Sequence, residues 1–235
     1  YVKSVPFLSG IKRTLKKLPF LDRRVRQAVS SGSSMGNFDC KTAQQSLDAS
    51  LKALKTDYID FWLLHEATMD MATSSELLEF LVSRRSAGQI RHIGIGSAYD
   101  KIDGKTEALP EEIDILQFEN NILSPRLDSF KNVEQRFIIS HSALLPAKAI
   151  VRGLIRDQTR ISTFKNKHGF DLSEVKVVVK LLLAWALESN PKGCVLFGST
   201  SPQHLEDNFS VLGDSRITKK LIIEFQDTVR SRLSC

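Results

Sequence analysis

Ser46-Leu47-Asp48-Ala49-Ser50-Leu51-Lys52-Ala53-Leu54-Lys55-Thr56-Asp57-Tyr58-Ile59-Asp60-Phe61-Trp62-Leu63-Leu64-His65 contains a change of period. Its first half, with Ala43 just upstream, places Ala43, Leu47, Leu51 and Leu54 at helical spacing. This predicts a helix over 41–55, with Asp39 or Thr42 as its cap. Residues 58–64 are then largely apolar and rich in aromatic and branched side chains. Such a run suits a strand buried on both faces, as the strands of parallel sheets are. His65 closes it.

The same alternation extends outward. A helix is expected over 75–87, stopped by Gly88, followed by a strand at 90–95. Strands are expected at 113–118 and 137–140, separated by a loop with Pro125 and a short helix near 127–133. Residues 173–189 read as the strongest helix, capped by Ser173, with Val178, Leu182, Trp185 and Ala186 on one face and Asn190-Pro191 at its end. A strand at 194–197 and helices at 202–212 and 217–230 complete the chain. Strands alternating with helices imply a parallel sheet, as an open doubly wound sheet or a (β/α)8 barrel, and periodicity does not separate the two. No Gly-x-Gly-x-x-Gly turn and no Walker-type Gly-Lys-Ser/Thr occurs, so neither a Rossmann dinucleotide site nor a P-loop is supported.

With 235 residues, 42% hydrophobic and 26% charged, the chain has the composition of a globular domain with a sizeable core rather than of a disordered or disulfide-scaffold protein. No apolar run reaches the roughly 18 residues of a membrane span, and no secretory leader pattern opens the sequence. Three cysteines, Cys40, Cys194 and Cys235, cannot pair completely, so a reducing, cytosolic setting is expected. The net charge of +6 is unevenly placed: residues 1–26 carry +7 and the remainder −1. A solvated helix face explains such a stretch better than nucleic-acid or anionic-surface binding does.

Three blocks carry a resemblance. The run quoted above, Gly88-Gln89-Ile90-Arg91-His92-Ile93-Gly94-Ile95, and Gly198-Ser199-Thr200-Ser201-Pro202-Gln203-His204-Leu205-Glu206-Asp207-Asn208 resemble, in this order, segments of the aldo-keto reductases. The resemblance covers about residues 40–215 and implies a (β/α)8 barrel that binds NADP(H) at the carboxyl ends of its strands. It implies one barrel domain over residues 1–235, with 1–39 as a divergent basic segment and the first two barrel strands missing from this chain. It makes His65 the catalytic histidine that polarises the substrate carbonyl, and Tyr1 a candidate proton donor. Gln117 and Ser97 would contact the nicotinamide carboxamide, and His141 would stand beneath the ring. Gly198, Ser199, Thr200 and His204 would hold phosphate at a helix N-terminus, and Asn208 would read adenine. NADP and NAD both stay open, because many relatives have a Lys or Arg in this loop and this chain does not.

The family's proton donor is a tyrosine tuned by lysine and aspartate, since a phenol of pKa ~10 needs its anion stabilised. The strand that should end in lysine matches residues 25–29, and the serine-rich 30–34 follows instead. The expected activity is NADP(H)-dependent reduction of a small-molecule aldehyde or ketone, with no metal. The alternative is a catalytically impaired pseudoenzyme or regulatory subunit that keeps the nucleotide shell.

Overall fold

Asp39 starts the first described helix by accepting the Thr42 N–H on Oδ1 at 2.7 Å, one of the donors a helix start leaves open. The computed structural model describes residues 38–102, 109–129 and 136–233. Tyr1, the basic residues of 1–26, the strand expected at 25–29, the serines of 30–34 and most of the short helix expected near 127–133 lie outside these. The chain divides into two units, one ending at Leu116 and the other beginning at Gln117.

In the first unit α1 (Cys40–Leu54) leads to β1 (Ile59–His65), a short α2 (Met69–Ala72), α3 (Ser75–Ser86), β2 (Ile90–Gly96), a short α4 (Tyr99–Ile102) and the first residues of β3 (Ile113–Glu119). Gly88 ends α3 at φ +76, a conformation glycine adopts without steric cost, and its N–H reaches the Arg85 carbonyl. β1 and β2 are parallel, in register from Ile59↔Ile90 to His65↔Gly96. Leu47, Leu77 and Leu81 from the helices and Trp62, Leu64, Ile93 and Ile95 from the strands are buried. β3 lies close to β2: a Cβ on Gly94 would stand 2.8 Å from both Cβ and the carbonyl oxygen of Ile115. Asp114 bridges the same two strands, accepting the Ile93 N–H at 3.0 Å and meeting His92 Nδ1 at 2.7 Å.

The second unit holds the end of β3, a 3-10 turn (Arg126–Ser129), β4 (Phe137–His141), α5 (Ala147–Leu154), α6 (Gln158–His168), α7 (Val175–Ser189), β5 (Cys194–Val195), α8 (Pro202–Phe209), a 3-10 turn (Ser210–Gly213) and α9 (Lys219–Leu233). β4 and β5 are parallel, with Ile139↔Cys194 and Ser140↔Val195 in register. The core is helical: Ile150 and Leu154 of α5, Val178, Leu182 and Trp185 of α7, and Phe225 and Val229 of α9 are buried together. Trp185 keeps its indole donor satisfied on Gln226 at 2.7 Å. Asp214 is held below the usual carboxylate range by Arg216 and Lys180, each at 2.7 Å, and so fixes the turn before α9.

Strand order is β1-β2-β3 in the first unit and β3-β4-β5 in the second. A doubly wound sheet reverses its order at a switch point, whereas a (β/α)8 barrel keeps chain order. The arrangement is that of a partial barrel.

Several boundaries differ from the sequence expectation. α5 and α6 fill the interval between β4 and α7, where no helix was expected. α7 begins at Val175 with Glu174 as N-cap, not with Ser173. The Ser173 hydroxyl donates to Asp171 Oδ1 at 2.5 Å and its N–H reaches the same oxygen at 3.0 Å, so Ser173 belongs to a turn closed by Asp171, one residue ahead of the cap. β5 is two residues long rather than four, although the Leu196 N–H still reaches the Ser140 carbonyl at 2.8 Å. The helix expected over 202–212 is α8 followed by a 3-10 turn.

Asp171 gives a pH prediction. Hydrogen bonds from Lys165, then from Ser173, lower its pKa from 3.8 to about 2. A depressed folded-state pKa means stability that is present above pH 3.8 and is lost as pH falls toward 2. Asp171→Asn should flatten the fall of Tm between pH 4 and 2, checked by calorimetric scans across that range. An unchanged acid limb would contradict the assignment.

Candidate active site

His65 is the last residue of β1 and is exposed. Among the described residues no hydrogen bond or ion pair engages its ring. The backbone turns sharply behind it. Glu66 has φ +61, unusual for a residue with a side chain, and its N–H donates to the Gly96 carbonyl at 2.7 Å. Ser97 follows β2, is buried, and donates its hydroxyl to the Ala67 carbonyl at 2.7 Å. Lys101 of α4 reaches back to form an ion pair with Glu66. The carboxyl ends of β1 and β2 are thus fastened to each other by a backbone bond, a buried hydroxyl and an ion pair. The Ser97 proton is committed to Ala67, so toward a ligand its hydroxyl can only accept.

In the second unit Gln117 is half-buried on β3, and among the described residues no hydrogen bond engages its carboxamide. His141 ends β4; its carbonyl accepts the Asn120 N–H at 2.9 Å and its Nδ1 meets Ser142 Oγ at 2.8 Å. The loop after β5 folds into a capped helix start. Ser201 is the N-cap of α8, its Oγ accepting the His204 N–H, and Pro202 takes the first helical position, where no donor is needed. Ser199 Oγ accepts the Ser201 N–H at 3.1 Å and lies 3.5 Å from His204 Nδ1. Thr200 is exposed, and a Cβ on Gly198 would meet nothing within 4 Å. Asn208, one turn further on, is only 7% exposed, yet among the described residues nothing hydrogen-bonds its carboxamide.

Within their own units, then, His65 and Ser97 share one braced pair of loops, and Ser199, Thr200 and His204 share one helix start. Tyr1 falls outside the described residues. Sequence reasoning missed Glu66 and Lys101; the signal was a carboxylate directly after His65, but its partner lies 35 positions along the chain. Among the described residues no group of three His, Cys, Asp or Glu could hold a metal ion.

The Aldo/keto reductase family model matches residues 16–141, more than half of the sequence, and its matched region takes in β1 with His65. The chain belongs to the aldo/keto reductase family. An aldo-keto reductase from Mycobacterium avium is 22% identical over 173 residues, 72% of this chain and 56% of the relative. The chain therefore spans little more than half the length of such relatives. Among solved structures it is similar to the holo form of the aldo-keto reductase AKR11C1 from Bacillus halodurans, with TM-score 0.62, 18% identity and coverage of 83% of this chain and 69% of that one. An aldo/keto reductase from Brucella melitensis gives TM-score 0.58 at 18% identity, covering 81% and 68%. At this identity the likeness speaks for the aldo/keto reductase fold. No helix among the described residues is long and apolar enough to cross a membrane.

Proposed function

We propose that this aldo/keto reductase is an NADP(H)-dependent oxidoreductase that reduces a small-molecule aldehyde or ketone to the alcohol, as one barrel-type domain in a reducing cytosol. The observation that carries the reading is His65: a ring with no hydrogen bond among the described residues, at the carboxyl end of a parallel strand, in a member of this family. Two features fit a nicotinamide dinucleotide. Asn208 is 7% exposed and its carboxamide has no hydrogen-bond partner among the described residues, which leaves its donor and acceptor for a ligand. The start of α8 adds hydroxyls and backbone donors at the positive end of a helix, which suits phosphate.

The cofactor, when bound, supplies a hydride to the carbonyl carbon. This chain's residues do the rest. His65 donates an N–H to the carbonyl oxygen, where negative charge develops. Tyr1 is the candidate to deliver the proton to that oxygen. Gln117 and Ser97 are assigned to the nicotinamide carboxamide, His141 to the ring face, Gly198, Ser199, Thr200 and His204 to phosphate, and Asn208 to adenine.

The test is a titration with NADPH and, in parallel, NADH, following the fluorescence of Trp62 and Trp185, both buried, and confirmed by calorimetry. Saturable binding in the micromolar range is expected, weakened about 5- to 30-fold by Asn208→Ala, the worth of one to two lost hydrogen bonds. NADPH oxidation with an aldehyde panel should follow. A folded sample that binds neither nucleotide overturns the proposal. A second reading, a nucleotide-binding pseudoenzyme, is favoured by the serines at 30–34 where the family has lysine. Tight binding without turnover on a broad aldehyde panel would select it.

A further inference from the structure

We propose that Glu66 and Lys101 are positioning residues for His65, joined in an ion pair that clasps the two loops at the carboxyl ends of β1 and β2. The inference rests on the oxidoreductase reading for its kinetic consequence, but the placement itself stands on geometry. Glu66 follows His65 directly and sits at φ +61, a backbone conformation that a residue with a Cβ holds only when its surroundings impose it. Two bonds impose it from the main chain and from Ser97: Glu66 N–H to the Gly96 carbonyl at 2.7 Å, and Ser97 Oγ to the Ala67 carbonyl at 2.7 Å. The third holds the side chain, with Lys101 Nζ donating to Glu66 Oε2. His65 lacks any tether of its own among the described residues, so its orientation is inherited from the backbone on either side of it. On the β1 side the ladder to β2 fixes that backbone; on the other side the Glu66–Lys101 pair acts together with the Glu66 N–H and Ser97 Oγ bonds.

Both side chains are substantially exposed, 38% for Lys101 and 49% for Glu66. A pair so exposed contributes little to stability. Its conservation of geometry is therefore felt at the ring rather than in the folding equilibrium, and this separates a positioning role from a structural one. A displacement of about 1 Å at a reacting group is enough to cost up to about a hundredfold in rate.

The experiment uses the full chain with Glu66→Gln, Lys101→Met, the neutral double Glu66→Gln/Lys101→Met, the charge swap Glu66→Lys/Lys101→Glu, and Lys101→Arg. Three readouts are taken: the His65 ring signals in 1H–13C NMR spectra, assigned by their loss in His65→Ala; kcat and KM separately for NADPH-dependent aldehyde reduction; and Tm. The single variants and the neutral double should shift or broaden the His65 signals and lower kcat about tenfold, with KM and Tm nearly unchanged. Lys101→Arg, which keeps an ion pair, should retain wild-type behaviour, and the charge swap should recover most of it. His65 signals at wild-type positions in the neutral double overturn the proposal whether or not turnover is measurable. Signals that move as expected in a protein with no turnover support the clasp and count against the oxidoreductase reading alone.

Discussion

Replacing His65 with alanine is expected to lower kcat/KM for carbonyl reduction by about 10²- to 10³-fold, the usual loss when one donor to a developing oxyanion is removed. Stability should stay within about 0.5 kcal/mol of the unmodified chain, because the ring is exposed and its removal strands no hydrogen-bond partner among the described residues. Nucleotide affinity should also hold, since His65 is assigned to the substrate oxygen and not to the dinucleotide. Steady-state kinetics, calorimetric NADPH binding and a thermal scan on one preparation separate these effects. Undiminished turnover in a folded His65→Ala protein would remove the catalytic assignment.

The largest expected effect on stability is that of Gly193→Ala. A Cβ at 193 would stand 2.2 Å from the Ile138 carbonyl oxygen and 2.4 and 2.6 Å from the Asn190 carboxamide atoms. Neither can retreat cheaply. Asn190 is buried, and its Nδ2 donates to the carbonyls of Ile138 at 3.1 Å and Cys194 at 3.2 Å and to Ser140 Oγ at 3.4 Å. One carboxamide thus stitches together β4 and β5, which share only two ladder pairs in register. A methyl group forced against it must displace backbone or break the stitch, for about 2–4 kcal/mol, combining overpacking with stranded buried carbonyls. Urea unfolding should show a lower midpoint with the slope unchanged. Because β5 feeds the loop to α8, NADPH affinity should fall in the same variant. A midpoint within error of the unmodified chain would mean that the approach relaxes without cost.

Where residues speak locally, the sequence was readable. Asp39, Gly88 and Asn190 mark helix ends through caps and turns a few positions long, and α1, α3 and α7 end where they indicate. The strand closed by His65 stood out because apolar and aromatic residues dominate it, with Asp60 as its one charged member before the histidine. α5 was also legible in principle: Ala147, Ile150, Val151 and Leu154 are buried at helical spacing, in a segment that no resemblance block covered. Ser173 misled for a physical reason: Asp171 draws both its hydroxyl and its N–H into a turn ahead of the helix, and the cap falls on Glu174. For the site, residue types at strand ends pointed to His65 and to the loop before α8. The Glu66–Lys101 clasp could not be read that way, because pairing across 35 positions depends on β1 and β2 lying side by side.

That adjacency has one more consequence. Level with His65 on the neighbouring strand stands Gly96, and parallel partners in register present their side chains to the same face. The berth beside the imidazole is bounded on that flank by a hydrogen atom where any other amino acid would put carbon. On the proposed reading of His65, the width left to a substrate on that flank is set at position 96, and Gly96→Ala would narrow it while the imidazole itself stays untouched.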